Sequence, residues 1–171
     1  MSKIYHYFVE GECEQKLLNA YRISPYELFT SGKVTVFNFI NKKLDYSRIR
    51  VLDRSTIIIL VYDIDVNITK TLEYNLSLLK KFGFNKIYHI QSINNFEDEL
   101  VFSTNLQNIN TLFKTQGKDD FKREFIHCSN IVKKLNNFGF DISKMWSRVN
   151  NNEPFNKYST DEALKIIKSK R

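Results

Sequence analysis

Apolar positions fall in short blocks along this chain, and their spacing changes from block to block. Ile4 to Val9 and Thr56 to Tyr62 are almost unbroken apolar runs, the second rich in β-branched residues. Such runs read as strands buried on both faces, as in a parallel sheet covered by helices. They place strands at about residues 3–9 and 55–62. Lys33 to Ile40, set off by Gly32, and Asn85 to Gln91 read as two more. Between them the spacing turns helical. Leu17, Leu18 and Tyr21 share a face within Glu12–Arg22, which ends before Pro25. Leu72, Leu76 and Leu79 share another, closed by Phe82-Gly83 with the glycine as C-cap. A further helix begins near Phe96. Strands alternating with helices predict an α/β fold with about four mainly parallel strands.

After about residue 116 the strand signals stop. Asp119 to Asn137 reads as one helix with Phe121, Phe125, Ile131, Val132 and Leu135 on its buried side. Gly139 interrupts, a short segment follows around Met145-Trp146, and Asp161 to Lys170 makes a last helix. The chain thus divides into an α/β domain, residues 1–113, and a helical extension packed on it, residues 114–171.

With 42% hydrophobic and 14% aromatic residues, 171 residues are enough to bury a real core. No stretch approaches the ~20 apolar residues that span a bilayer. Met1-Ser2-Lys3 leads straight into a strand rather than into a signal-peptide core. Cys13 and Cys128 are too few for a disulfide framework. Together these features predict a cytoplasmic protein without membrane contact.

The net charge of +7 is uneven. Residues 1–113 hold 13 Lys/Arg against 12 Asp/Glu, whereas residues 114–171 hold 13 against 7. A basic extension beside acidic motifs suits an anionic polymer, nucleic acid, held by one part and processed by the other. Lysines that merely solvate helices are the alternative. Lys114, Lys118, Lys122 and Arg123 cluster around a helix start, where they either grip phosphates or form a solvated face.

Both principal strands run into acids. The first leads to Glu10-Gly11-Glu12-Cys13-Glu14 and the third to Asp63-Ile64-Asp65. Open α/β sheets place ligands at the carboxyl ends of their strands. Three or more carboxylates converging there repel one another unless a cation neutralises them. The pattern therefore points to a divalent-metal site, and Mg²⁺, a hard ion held by a few carboxylates plus water and phosphate, is the expected occupant. Asp63 and Asp65, two apart on an extended strand end, project to one side and could reach the same ion.

Phe8-Val9-Glu10-Gly11-Glu12-Cys13-Glu14, with Asp63-Ile64-Asp65 after a third apolar strand, resembles the TOPRIM domain of topoisomerases, bacterial primases, OLD nucleases and RNase M5. The apolar-Glu-Gly-x-x-Glu pattern is most similar to the OLD and RloB-like branches found in phage-defence systems. Ser92-Ile93-Asn94-Asn95-Phe96-Glu97 carries the serine and the Phe-Glu that RloB-like proteins have after the fourth strand. The resemblance covers about residues 3–105 and implies a TOPRIM-type, Rossmann-like sheet. It also implies that Glu10, Asp63 and Asp65 hold Mg²⁺ or Mn²⁺, and that Glu97 serves a second metal or orients water. Glu14 is then either a ligand of the second metal or a plain helix-start carboxylate.

The implied activity is hydrolysis of phosphodiester bonds in DNA or RNA, tRNA included, by an antiphage effector. Related nucleases often work with an ABC-type ATPase. This chain has no Gly-x-x-x-x-Gly-Lys-Ser/Thr loop, so that ATPase is expected as a separate protein; a homodimer suits so small an effector. Two alternatives stay open. An RNA-processing enzyme resembling RNase M5 would carry lysine and aspartates after Glu-Gly, where this chain has Glu12-Cys13-Glu14. A non-catalytic interaction module would use its acids structurally or not at all. The remaining candidates read as structural. Glu12, Asp98 and Glu99 are expected in solvent, His6 and His89 packed or hydrogen-bonded, and Cys13 a structural thiol. Trp146 is expected in the core, and His127-Cys128, mid-helix and without a second pair, gives no zinc signature.

Overall fold

The computed structural model describes residues 3–23, 25–151, 153–158 and 160–168. The first part of the chain folds into β1 (Tyr5–Val9), α1 (Glu12–Tyr21), β2 (Lys33–Val36), α2 (Tyr46–Arg50), β3 (Ile57–Asp63), α3 (Lys70–Lys81), β4 (Ile87–Ser92) and α4 (Phe96–Phe102). A 3₁₀ turn, Ile109–Leu112, then leads to α5 (Lys118–His127), α6 (Ile131–Asn136) and α7 (Asp161–Ile167). The strands make one sheet in the order β2-β1-β3-β4, every pairing parallel.

The layers follow from side-chain alternation along the strands. On β3, Ile57, Ile59 and Val61 join Tyr7 and Val9 in one core beneath α1, α4, α5 and α6. Ile58, Leu60 and Tyr62 join Phe8 in a second core beneath α3 and the chain around Phe37–Ile49. The unbroken apolar run of β3 is thus buried on both faces, as a central parallel strand requires. The extension enters both cores, with Phe121, Phe125, Trp146 and Ile167 on the first side and Phe155 on the second. It also covers the β4 edge: Gln91 Nε2 donates to the carbonyls of Phe155 (3.0 Å) and Tyr158 (2.8 Å), and α7 packs beside the strand. An edge so covered offers no free ladder to another chain. No helix among the described residues is long and apolar enough to cross a membrane.

Three expectations about elements need correction. The second strand stops at Val36, not Ile40, because Asn38 Oδ1 takes the N–H groups of Ile40 (3.0 Å) and Asn41 (2.8 Å) into a local turn. The helix expected over 119–137 is two helices. Cys128 is extended (ψ 116°) and the Asn130 side chain caps α6 through the Lys133 N–H at 3.1 Å, a local bond that competes with helix continuation. His127-Cys128 therefore ends a helix rather than sitting within one. The last helix, expected to run to Lys170, ends at Ile167, because Lys168 is extended (ψ 120°) and bridges to Phe29; residues 169 and 170 lie outside the described residues. Gly83, at φ +89°, follows α3 in the left-handed conformation that its role as terminator demands.

Candidate functional site

Because the sheet is parallel, the chain leaves β1, β3 and β4 on the same side. Glu10 follows β1, Asp63 is the last residue of β3, Glu14 lies in the first turn of α1 and Glu97 in the first turn of α4. These four carboxylates, with Cys13 and with Lys122 from α5, line a cavity of about 200 Å³. Gly11 allows the tight entry to α1: its N–H donates to Glu14 Oε2 at 3.1 Å, and a Cβ there would lie 3.0 Å from that oxygen. The Asn95 side chain caps α4 through the Asp98 N–H at 2.9 Å and so fixes the turn that carries Glu97.

The acids differ in what holds them. Glu10 accepts from Asn38 Nδ2 at Oε1 (2.8 Å) and from the Asp63 N–H at Oε2 (3.0 Å), leaving lone pairs on both oxygens. Burial pushes its carboxyl above the ordinary value; Asp65 adds to the rise, and the two hydrogen bonds oppose it. Glu14, only 4% exposed, is pushed up to about 7 by burial and by the charges of Glu10 and Glu97. Asp63 is pushed up to about 9, by burial first and then by Glu14 and Glu10, while a hydrogen bond from Ser92 pulls the other way. Glu97, also 4% exposed, has its Oε1 3.5 Å from Lys122 Nζ, within ion-pair reach but not in hydrogen-bonding geometry. Burial lowers the Lys122 ammonium, but Glu97, Cys13 and Glu14 outweigh it and raise the group. The Cys13 thiol is pushed up to about 12 by burial and by Glu14 and Glu97, so it stays protonated and inert as a nucleophile.

Two buried carboxylate oxygens here, Asp63 Oδ1 and Glu97 Oε1, have no hydrogen-bond partner. Such atoms are strongly penalised unless something satisfies them. An all-oxygen donor set with two bare oxygens fits a hard divalent cation, Mg²⁺ or Mn²⁺. Among the described residues no three acidic, histidine or cysteine side chains already stand in ligating geometry. The carboxylates surround a space instead of meeting at a point, which suits an ion that keeps much of its water and takes one or two carboxylates.

Of the residues expected at the site, Glu10, Glu14, Asp63 and Glu97 come together. Asp65 does not line the cavity: it is exposed on the loop after β3, and its charge is felt at Glu10. Among the cations expected to grip phosphate, Lys122 faces the acids. Lys118 is exposed at the start of α5, and Arg123 pairs with Asp120 at 2.9 Å and Glu124 at 3.8 Å on its own helix. Glu12 is exposed at the cavity rim, as expected. Glu99, expected in solvent, is completely buried. It accepts from the Ile93 and Trp146 N–H groups and pairs with Arg148 at 2.8 Å, a partner that arrives 49 residues later. His6 bonds Thr35 Oγ1 at 3.0 Å and His89 bonds the Tyr62 hydroxyl at 3.0 Å; burial holds both at about 4, so both are neutral packing groups. Asn38, which orients Glu10, carried no sequence signal, since it fell inside the expected strand 33–40.

No protein-family model matches the chain, and neither does any curated protein or solved structure.

Proposed function

We propose that this chain is a metal-dependent nuclease of TOPRIM type that hydrolyses phosphodiester bonds in DNA or RNA. One observation carries the reading: four carboxylates converge at the carboxyl end of a parallel sheet, with two buried oxygens that accept no hydrogen bond, one of them within ion-pair reach of Lys122. The resemblance of Phe8–Glu14, Asp63–Asp65 and Ser92–Glu97 to TOPRIM motifs supports it, and extends it to an antiphage effector paired with a separate ABC-type ATPase and acting as a homodimer.

Glu10 and Asp63 would hold Mg²⁺ or Mn²⁺, Glu97 would serve a second ion, and Asp65 would orient outer water from its loop. The bound ion supplies charge neutralisation and an acidified water. Glu14, buried among the acids, would take the proton of a water whose oxygen attacks phosphorus and return it to the sugar oxygen as the P–O bond to that oxygen breaks. Lys122 draws the phosphate in and balances the charge that builds on its free oxygens.

The test is incubation of the purified protein with plasmid DNA, tRNA and a ribosomal RNA precursor, with Mg²⁺, Mn²⁺ or EDTA. Metal-dependent cleavage that Asp63→Asn and Glu97→Gln both abolish is the expected result. Cleavage confined to the ribosomal precursor would favour an RNase M5-like role. Absence of cleavage together with absence of calorimetric metal binding would leave a non-catalytic module.

A further inference from the structure

Trp146 is the single tryptophan of the chain, wholly buried, and its backbone stands at φ +59°. The left-handed region is unusual for a bulky aromatic residue and persists only where surrounding contacts over-determine it. Those contacts are visible. The Trp146 N–H donates to Glu99 Oε2 at 3.1 Å. Glu99 Oε1 takes Arg148 Nε at 3.1 Å and Nη2 at 2.8 Å, and Arg148 Nη2 also reaches the Ile93 carbonyl at 2.8 Å. The extension is thereby locked onto the turn between β4 and α4.

The lock aims the indole. Trp146 Nε1 donates to Ser92 Oγ at 3.3 Å, and Ser92 is the fully buried last residue of β4, in register with Asp63 at the end of β3. Paired residues of neighbouring strands project to the same face about 5 Å apart, so the register sets the Ser92 hydroxyl beside the Asp63 carboxyl. An indole N–H can only donate, whereas a hydroxyl has one proton and two lone pairs. With Trp146 on a lone pair of Ser92, the Ser92 proton is free to turn toward the Asp63 carboxyl beside it, whose Oδ1 has no hydrogen-bond partner.

We infer that Ser92 and Trp146 are positioning residues that orient the Asp63 carboxylate for its cation, with Glu99 and Arg148 holding Trp146 in place. This rests on the metal-centre reading above. It assigns the extension a part in the site that its charge does not suggest. It also makes the lone indole a built-in reporter of that site.

The experiment uses the full chain and Mg²⁺ alone. Binding is followed by calorimetry and, in parallel, by tryptophan emission excited where tyrosine does not absorb. In the parent, emission should change along the calorimetric binding curve. Groups that orient a metal ligand typically contribute 10–100-fold in affinity, so Ser92→Ala and Trp146→Phe should each weaken Mg²⁺ binding by about tenfold or more. Because both break one chain of contacts, the double variant should bind no more weakly than either single. Losses that multiply in the double variant, or unchanged affinity in Ser92→Ala, would overturn the inference. So would a silent indole while the calorimeter registers binding, an outcome that needs no variant to fold. A parent that binds no Mg²⁺ in the calorimeter would overturn the metal-centre reading and this inference with it.

Discussion

Asp63→Asn isolates the electrostatic tension of the site, because it replaces the most perturbed carboxyl with a neutral group of the same shape. An acid whose folded value is raised must take up a proton to stay in the fold. Its contribution is neutral below its ordinary value and becomes progressively unfavourable as pH rises to the folded value. For Asp63 that window runs from 3.8 to about 9. Each pH unit within it is worth about 1.4 kcal/mol. In the metal-free protein the Asn variant should therefore be more stable than the parent by up to roughly 2 kcal/mol at pH 5 and roughly 4 kcal/mol at pH 7. The side-chain amide can also donate to the neighbouring carboxylates. Urea unfolding in EDTA at the two pH values measures both differences. Mg²⁺ at 100 times its Kd stabilises the parent by about 2.7 kcal/mol and gives the variant little, so it should reverse the ranking at pH 5 and cut the variant's advantage at pH 7 by more than half. A variant less stable than the parent at pH 7, or an advantage that does not grow between pH 5 and pH 7, would refute the tension and with it the case for a cation.

Three further outcomes follow from the partners of single charges. Glu97→Gln should abolish cleavage with little loss of stability, while Asp98→Asn, on the outer side of α4, should leave turnover unchanged; a steady-state assay of both decides. Glu99→Gln should destabilise the fold by about 3 kcal/mol in urea unfolding, because it strips a buried pair of its negative partner while Arg148 is only partly exposed. Lys122→Gln should tighten Mg²⁺ binding in the calorimeter, the cavity having lost its cation. The same change should weaken nucleic-acid binding and lower its salt slope by roughly one, whereas Arg123→Gln, already neutralised on its helix, should leave the slope unaltered.

What the sequence disclosed, and what it hid, divides along the range of the interactions involved. β3 was legible because burial on both faces writes itself into six adjacent apolar residues, and α3 because a one-sided helix and its glycine stop are local facts. Glu10 and Asp63 were legible for the same reason, each standing at the end of an apolar run, whereas Glu14, inside the helix start, stayed open between ligand and plain helix-start carboxylate. Glu97, Asp98 and Glu99 are indistinguishable as neighbours in a helix start. What separates them is who arrives from afar: Lys122 at the first, Arg148 at the third, neither announced by spacing. The loop 37–40 misled for a related reason. Phe37, Phe39 and Ile40 are apolar because they plug the second core, but Asn38 has turned their backbone out of the ladder to hold Glu10. The basic extension shows the same rule from the other side. Arg148 closes on Glu99, Lys157 on Glu73, Arg123 on Asp120, and Lys168 on the carbonyls of Ser143 and Met145. Four of its 13 Lys/Arg side chains are thus engaged in fastening the extension to itself and to the α/β part of the chain. The cation aimed at the acids is Lys122, and uncharged Trp146 reaches Ser92, the register partner of Asp63. If nucleic acid is the substrate, its grip should depend on Lys122 at the cavity more than on the extension as a whole.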